Sequence, residues 1–221
     1  MEDIEIFIKK YDIKRIKEIE HQDPQFISLQ TCRDKIENKN ENLFLFLVIQ
    51  SSMVSYQLSW TWEKRWKEVW IAIERDWNIL LNLRNNNEKN TLRWYNFLKW
   101  SKNNKRLINM KKFRIEKTYN IISLNKNLSW YSKNLNELNI VFSKSMNSKI
   151  NAKTIVFAIK MYWYAFSIIT KKEINYPLSI NIPIDSRLKK IYYTMVDKKP
   201  WKDNKSWVTK YRNWYYKSSK T

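Results

Sequence analysis

The segment AKTIVFAIKMYWYAFSII, residues 152–169, is the most apolar long stretch of this chain and predicts a helix that packs in the core. It opens on Lys153 and carries one further charge, Lys160. The motif IPIDSR, residues 182–187, follows it and contains Asp185. A lysine at the mouth of an apolar helix, with an aspartate downstream, is either an amine nucleophile with its acid–base partner or the solvated end of a core helix. The segment alone leaves both interpretations open.

The charge balance indicates a polyanionic partner. Lysine and arginine number 42 against 21 aspartates and glutamates, so the formal net charge is +21 over 221 residues. A compact protein with this excess repels itself unless its surface faces negative charge, and nucleic acid is the usual partner. Low-GC coding bias explains part of the lysine content but not the shortage of acidic residues. We therefore expect a nucleic-acid-binding protein.

Several classes of site are excluded by residue content. Cys32 is the only cysteine and His21 the only histidine, which excludes a disulfide, a Cys- or His-clustered metal site and a histidine-based triad within one chain. We expect no metal and no cofactor, so any chemistry must come from Lys, Asp, Glu, Tyr or Ser. The acidic start, MEDIE, is unlike a secretory signal, and no apolar run approaches the length of a membrane span. We expect a cytoplasmic protein without a membrane partner.

The hydrophobic pattern indicates an all-α fold. Apolar residues recur at helical spacing along most of the chain, and almost no segment alternates at period two. Asp23 suits an N-cap, and Pro24 suits the first position of a helix. The predicted helices cover residues 3–20, 42–58, 91–99, 107–118, 135–142, 153–170 and 185–196, with further helices from Pro24 and around Trp66 and Val69.

The segment 106–118 is the most basic of these predicted helices. Its cations are interleaved with apolar residues. A phosphate-binding face and an ordinary solvated face explain the pattern equally well. The cations are Arg106, Lys111, Lys112, Arg114 and Lys117, and the apolar residues are Leu107, Met110 and Ile115.

The chain contains no glycine and 12 tryptophans, whereas about 7% glycine is usual. Tight turns and helix C-caps often need a residue with positive φ, and glycine is the default there. In its absence, we expect Asn, Asp and Ser at these positions.

Four motifs together resemble one protein family. VSYQLS (54–59), FLK (97–99), AKTIVF (152–157) and IPIDSR (182–187) are similar to segments of the archaeal 8-oxoguanine DNA glycosylase/lyase family (AGOG), in that family's order and roughly its spacing. The resemblance covers about residues 1–195. It implies a helix-hairpin-helix DNA glycosylase fold of two helical lobes with the active site in the cleft between them. The implied organisation is a glycosylase region at 1–197, with the helix-hairpin-helix unit at about 135–170, and a divergent or truncated basic tail at 198–221.

The resemblance also implies a reaction. Lys153 matches the family's nucleophilic lysine, whose neutral amine attacks C1′ of the damaged nucleotide, expels 8-oxoguanine and holds the sugar as a Schiff base before β-elimination nicks the strand. Asp185 matches the family's catalytic aspartate, which stabilises oxocarbenium-like charge on the sugar and assists proton transfer. A solvated lysine and a plain N-cap aspartate are the structural alternatives. The implied partner is double-stranded DNA containing 8-oxoguanine, bound by a monomer.

The same resemblance assigns residues to the base and to the DNA backbone. A flipped-out base needs a stacking partner, which Trp66 or Phe157 supplies, and an edge reader, which Gln25 supplies with one donor and one acceptor group. For Trp66 and Phe157, core packing is the alternative. The implied base-binding residues are Gln25, Ser55, Trp66, Phe157 and Lys160, and the expected phosphate-binding residues are Lys99, Lys102, Lys105, Arg106, Lys144 and Lys149.

Three tryptophans stand where the family pattern has glycine, at Trp60, Trp62 and Trp163. We hypothesise that the source organism decodes UGA as glycine, and that translation with UGA as tryptophan produced the printed chain. An indole at Trp163 in the middle of a helix would then overpack the core by ~1–3 kcal/mol.

Two other functions fit the same residues. A non-catalytic basic nucleic-acid-binding protein, of ribosomal or organelle type, agrees with the composition. A glycosylase of the same superfamily with another damaged base as its substrate agrees with the motifs.

Overall fold

The structure, a computed structural model, describes only part of the chain. The chain divides into two compact units, formed by residues 1–22 with 181–221 and by residues 23–180. In the first unit the described helix is α1, Ile13–His21. The predicted helix at 185–196 and Asp185 lie outside the described residues. The described residues are 13–34, 36, 41–59, 64–69, 71–72, 95–124, 128–171, 176–177 and 179–181.

Helices are the regular secondary structure of the second unit in its described part. Residues 64–69, 71–72 and 95–100 are also helical. No residue within the described ranges forms a strand, so the prediction of an all-α fold is confirmed. The longer elements of this unit are α2 (Pro24–Asp34), α3 (Glu41–Met53), α4 (Ile108–Leu124), a 3-10 helix (Leu128–Ser132), α5 (Leu135–Ser145) and α6 (Lys153–Thr170).

Helices α3 and α6 form the centre of the second unit. They share the most extensive contact among the described helices, and α2, α4 and α5 pack around them. Phe44 and Val48 of α3 and Ile155 and Ile159 of α6 are fully buried, and burial of each such side chain contributes about 1.5–3 kcal/mol. The prediction of an apolar core helix at 153–170 is confirmed, with the same bounds.

The start of α2 follows from two adjacent residues. The Asp23 carboxylate accepts a hydrogen bond from the backbone N–H of Gln25 at 2.9 Å, and Pro24 occupies the first helical position, where its missing N–H costs nothing. The predicted N-cap is therefore confirmed.

The connection between α5 and α6 is a short hairpin. At the end of α5, the N–H of Asn147 donates to the carbonyl of Lys144 at 3.0 Å, and that of Ser148 donates to the carbonyl of Ser143 at 2.9 Å. Asn147 has φ 46°, so these bonds form a Schellman motif with asparagine in the position that glycine usually takes. The Ala152 N–H donates to the Lys149 carbonyl at 2.8 Å, and α6 begins at the next residue.

Four described residues have positive φ: Gln57, Leu107, Asn147 and Lys171. The prediction that Asn, Asp or Ser would take such positions is right at Asn147 and wrong at the other three. A side chain with a Cβ costs about 1–2 kcal/mol in this conformation. In a chain without glycine, surrounding contacts and helix-end hydrogen bonds must hold such residues there.

The basic helix buries one of its predicted phosphate-facing cations and exposes apolar residues beside it. Met110 and Phe113 of α4 are each 53% exposed, whereas Lys111 is fully buried. The Lys111 ammonium lies 3.2 Å from the side-chain oxygen of Asn104 and 5.5 Å from the ring centre of Tyr56. These partners solvate the charge in place of water, so the core accepts a lysine and leaves apolar residues outside.

Candidate functional site

Lys153 is the first residue of α6, and its side chain is exposed. The preceding residue, Ala152, provides no side-chain cap. A cation in the first turn of a helix meets the positive end of the helix dipole, so a charged Lys153 is electrostatically unfavourable at this position. Its position places an accessible amine directly after the hairpin.

Phe157 and Lys160 lie on the same face of α6 as Lys153, because they follow it by four and seven residues. Both are half-buried. The Lys160 ammonium lies 4.9 Å from the ring centre of Tyr164, a cation–π contact that holds it against the helix. The helix thus brings together three of the residues that the sequence predicted for the site.

Gln25 lies in the first turn of α2, which packs against α6. Its side chain is half-buried, and its Oε1 is enclosed without a hydrogen-bond partner among the described residues. The next residue, Phe26, packs edge-on against Tyr164 with 5.6 Å between ring centres. The same Tyr164 ring carries the Lys160 ammonium, so this contact links the Gln25 end of α2 to the predicted site face of α6.

Trp66 and Ser55 are both deep in the second unit. Trp66 is 1% exposed, and its indole N–H has no hydrogen-bond partner among the described residues. The Ser55 hydroxyl donates to the backbone carbonyl of Ser51. That carbonyl also accepts from Arg65, whose second guanidinium nitrogen donates to the Ser51 hydroxyl at 2.9 Å. The Ser51 carbonyl therefore links Ser55 to Arg65, the residue that precedes Trp66.

Segment 99–106 carries exposed cations and is held in place by a network of polar hydrogen bonds. Ser101 donates its hydroxyl hydrogen to Glu68 and accepts from the Asn104 amide at 2.8 Å. The Ser59 N–H donates to the Asn103 carbonyl at 3.1 Å, which ties this segment to the turn after α3. Lys99, Lys102, Lys105 and Arg106 project outwards, and Lys144 and Lys149 are exposed on the α5–α6 hairpin.

A group of buried cations adjoins segment 99–106, where Lys111 contacts Asn104. The sequence did not predict this group. Arg65 and Lys111 are both fully buried. Burial lowers the pKa of the Arg65 guanidinium, and Glu68 opposes that shift. Burial, and then the positive charge of Arg65, lower the pKa of the Lys111 ammonium to about 8. Nothing in the run Lys64–Lys67 marks Arg65 as its buried member, because its partner Ser51 lies on another helix.

Some predicted residues cannot be placed. Asp185, Trp60 and Trp62 lie outside the described residues. Trp163 is half-buried on α6 and packs edge-on against Tyr176 with 5.5 Å between ring centres.

The described part of the chain contains no cluster of His, Cys, Asp and Glu that could hold a metal ion. No helix in that part is both long and apolar enough to cross a membrane.

Comparison with known proteins gives one consistent result. Residues 5–217 match the AGOG family, described as N-glycosylase/DNA lyase. The match therefore continues into residues 198–221, beyond the motifs quoted above. An N-glycosylase/DNA lyase of Methanococcus maripaludis is 37% identical over 201 residues, which are 89% of this chain and 75% of that protein. A protein of the same name from Nanoarchaeum equitans is 33% identical over 180 residues, covering 81% of this chain and 76% of its own length.

The fold agrees with this result. The 8-oxoguanine DNA glycosylase Pa-AGOG of Pyrobaculum aerophilum, solved in complex with 8-oxoguanosine, superposes with a TM-score of 0.67 at 18% identity, covering 86% of this chain and 68% of that chain. The matched family, the relatives and the helical architecture lead to one conclusion. The chain belongs to the AGOG family of N-glycosylase/DNA lyases.

Proposed function

We propose that this protein removes 8-oxoguanine from double-stranded DNA and cleaves the strand at the resulting abasic site. Membership of the N-glycosylase/DNA lyase family supports the reaction class, and the solved relative supports the base, since its structure holds 8-oxoguanosine. The observation that carries the proposal is the exposed amine of Lys153 at the first position of α6, directly after the hairpin.

In the proposed reaction, the neutral Lys153 amine attacks C1′ of the damaged nucleotide. The glycosidic bond breaks, and 8-oxoguanine leaves with the bonding electron pair and takes up a proton. Ring opening of the sugar gives a Schiff base between Lys153 and C1′, and loss of a C2′ proton then expels the 3′ phosphate by β-elimination. Asp185 is proposed to stabilise positive charge on the sugar and to move the proton.

We propose that the base is read by the residues around α6. Gln25 has an enclosed side-chain oxygen without a partner among the described residues, which suits an acceptor that a base N–H satisfies. Phe157 and Lys160 lie on the same face as the nucleophile, where they would contact the flipped-out base. Trp66 and Ser55 are enclosed in the unit, so their proposed contacts with the base require it to enter deeply.

The DNA backbone is proposed to contact lysine side chains at the hairpin. The N–H groups of Asn147, Ser148 and Ala152 already donate to carbonyls within the hairpin. Lys144 and Lys149 are exposed beside them, so they would supply the phosphate contacts together with Lys99, Lys102, Lys105 and Arg106. Each phosphate that is neutralised steepens the salt dependence of binding.

The proposal also covers the domain bounds, the oligomeric state and the cellular location of the protein. We propose residues 1–197 as the glycosylase region and a monomer as the active form. A chromosomal DNA substrate would place the protein in the cytoplasm at the nucleoid.

Borohydride trapping tests the reaction. Reduction in the presence of a duplex containing 8-oxoguanine should leave a covalent protein–DNA adduct, because hydride reduces the Schiff base. Lys153→Gln should abolish the adduct. Lys171→Asn is the matched control, since Lys171 is exposed just beyond the far end of the 18-residue α6, roughly 27 Å away along the helix. A folded wild-type protein that binds the duplex but forms no adduct would instead support the non-catalytic binder.

A further inference from the structure

A second polar site lies where the turn after α3 meets α4. The Arg114 guanidinium lies over the ring of Tyr56, with 4.7 Å from its central carbon to the ring centre. Lys111, one turn earlier on α4, places its ammonium 5.5 Å from the same ring centre. Two cations therefore share one aromatic ring.

Two donor groups at this ring have unmet hydrogen-bonding capacity. One guanidinium nitrogen of Arg114 and the hydroxyl of Tyr56 are both enclosed, and neither has a hydrogen-bond partner among the described residues. An enclosed donor without a partner costs about 1–3 kcal/mol, and more when it is charged. Among the described residues, the site therefore lacks acceptors for these two donors.

Among the described residues, the charge around this ring is positive. Arg65, Lys111 and Arg114 contribute three cations, whereas Glu68 is the carboxylate that acts on Arg65. The Glu68 carboxylate already accepts from the Ser101 hydroxyl and from the Asn103 N–H at 3.4 Å. The group that would complete the site is thus an anion with several acceptor oxygens.

The site adjoins the surface proposed for DNA. Tyr56 follows Ser55 directly, and Ser59 is hydrogen-bonded to Asn103 at 3.1 Å. Lys111 is bonded to Asn104, the residue before the exposed Lys105. A DNA strand that contacts the exposed cations of segment 99–106 would therefore pass close to Arg114.

We propose that Arg114 and the Tyr56 hydroxyl bind one phosphodiester group of the DNA backbone. The guanidinium fork matches two phosphate oxygens, and the hydroxyl donates to one of them. The buried Lys111 ammonium adds positive charge without contact with solvent. This inference rests on the proposed DNA substrate, but not on the chemistry at Lys153.

The salt dependence of binding to an undamaged duplex tests this site without any catalytic step. Arg114→Gln should weaken binding about tenfold, because a charge-assisted hydrogen bond is lost. The slope of log K against log salt is negative, and Arg114→Gln should reduce its magnitude by about 0.9, which is the contribution of one phosphate. Tyr56→Phe keeps the ring but not the hydroxyl, so it should weaken binding about threefold with an unchanged slope.

The control variant is Lys133→Gln, at an exposed lysine just before the N-terminal end of α5, whereas the hairpin follows the C-terminal end. It should leave both affinity and slope as in the wild type. Thermal denaturation confirms that each variant is folded. If Arg114→Gln leaves the slope unchanged, whether or not affinity falls, Arg114 does not bind a DNA phosphate and the proposal is overturned.

An experiment with inorganic phosphate distinguishes a site for DNA phosphodiester groups from a site for free phosphate ions. Millimolar phosphate should raise the Tm of the DNA-free wild type but not that of Arg114→Gln, which would support a phosphate site at this ring. Stabilisation that needs Arg114, together with an unchanged DNA slope in Arg114→Gln, would reject DNA as the source. Failure of borohydride trapping alone would reject the proposed reaction and leave this site standing.

Discussion

The Arg65 guanidinium donates to both the hydroxyl and the backbone carbonyl of Ser51, which lies in the last turn of α3. Carbonyls at a helix C-terminus lack intrahelical partners and carry negative partial charge, so a cation there satisfies and stabilises them. The Ser55 hydroxyl shares the same carbonyl. One buried arginine thus joins the end of α3 to the turn that follows it and to Trp66.

Replacing Arg65 should destabilise the protein. Arg65→Met fills much of the same volume but leaves the Ser51 oxygens and Glu68 without their cation, so the free energy of unfolding should fall by about 2–4 kcal/mol. Urea denaturation measures this. Lys64→Met, at an exposed neighbour, is the control and should change it by less than about 0.5 kcal/mol. An equally small effect of Arg65→Met would show that the buried network contributes little.

Stability should rise with pH above about 8 because of Lys111. Its folded pKa is lowered to about 8, whereas a lysine in the unfolded chain has a pKa of about 10.4. Between these values the unfolded chain binds a proton that the folded protein has released, so the free energy of unfolding increases with pH. Urea titrations at pH 7.5, 8.5 and 9.5 should show this increase.

Lys111→Met serves as the control for that prediction, since it removes the lysine that titrates first and should reduce the increase, most clearly between pH 7.5 and 8.5. The lowered pKa of Arg65 acts in the same direction towards the upper end of the range. Burial raises the pKa of Tyr56, which acts with the opposite sign only above about pH 10, outside the measured range. Equal slopes in the wild type and Lys111→Met would contradict the assignment.

Glycine should stabilise the end of α6. Lys171 has φ 52°, a conformation that costs about 1–2 kcal/mol for a residue with a Cβ. Glycine removes this penalty but adds about 0.5–1 kcal/mol of backbone entropy, so Lys171→Gly should raise the free energy of unfolding by about 0.5–1 kcal/mol. Thermal denaturation is the measurement. Asn147→Gly should gain less, because asparagine tolerates this conformation better, and a larger gain at Asn147 would contradict the argument.

Gln25 should contribute to recognition rather than to stability. Its Oε1 is enclosed and makes no hydrogen bond to the described residues, so Gln25→Leu should leave the free energy of unfolding unchanged or raise it by up to about 1–3 kcal/mol. Under the proposed function, the same change should reduce the preference for 8-oxoguanine over guanine about tenfold, since one edge contact is lost. Dissociation constants for matched duplexes, measured in a Lys153→Gln background to prevent chemistry, decide this. An unchanged preference would remove Gln25 from the base-binding set.

The hypothesis about glycine predicts the coding DNA. Codons 60, 62 and 163 should be UGA in the source genome, and mass spectrometry of the native protein should find glycine at these positions. At position 163, glycine would remove the ring contact with Tyr176 that Trp163 makes at 5.5 Å. UGG codons at all three positions would contradict the hypothesis.

Much of the fold and part of the candidate site could be predicted from sequence because they depend on neighbours a few residues apart. The Asp23 N-cap acts on Gln25, two positions away. The apolar run 153–170 and its register place Lys153, Phe157 and Lys160 on one helix face by periodicity alone. The hairpin before this run was implied by the resemblance to the AGOG family. Local hydrogen bonds and helical spacing are properties of short segments, and a sequence displays them directly.

The tertiary structure alone decided which charged residues are buried. Lys111 is enclosed because Tyr56, far away in the chain, supplies a ring for its ammonium, while Met110 beside it stays exposed. Arg65 is enclosed because Ser51 on another helix accepts its hydrogen bonds. Burial of a charge is tolerated only where partners replace its lost hydration. Those partners are brought together by packing, so no single segment could reveal the cationic group around Tyr56.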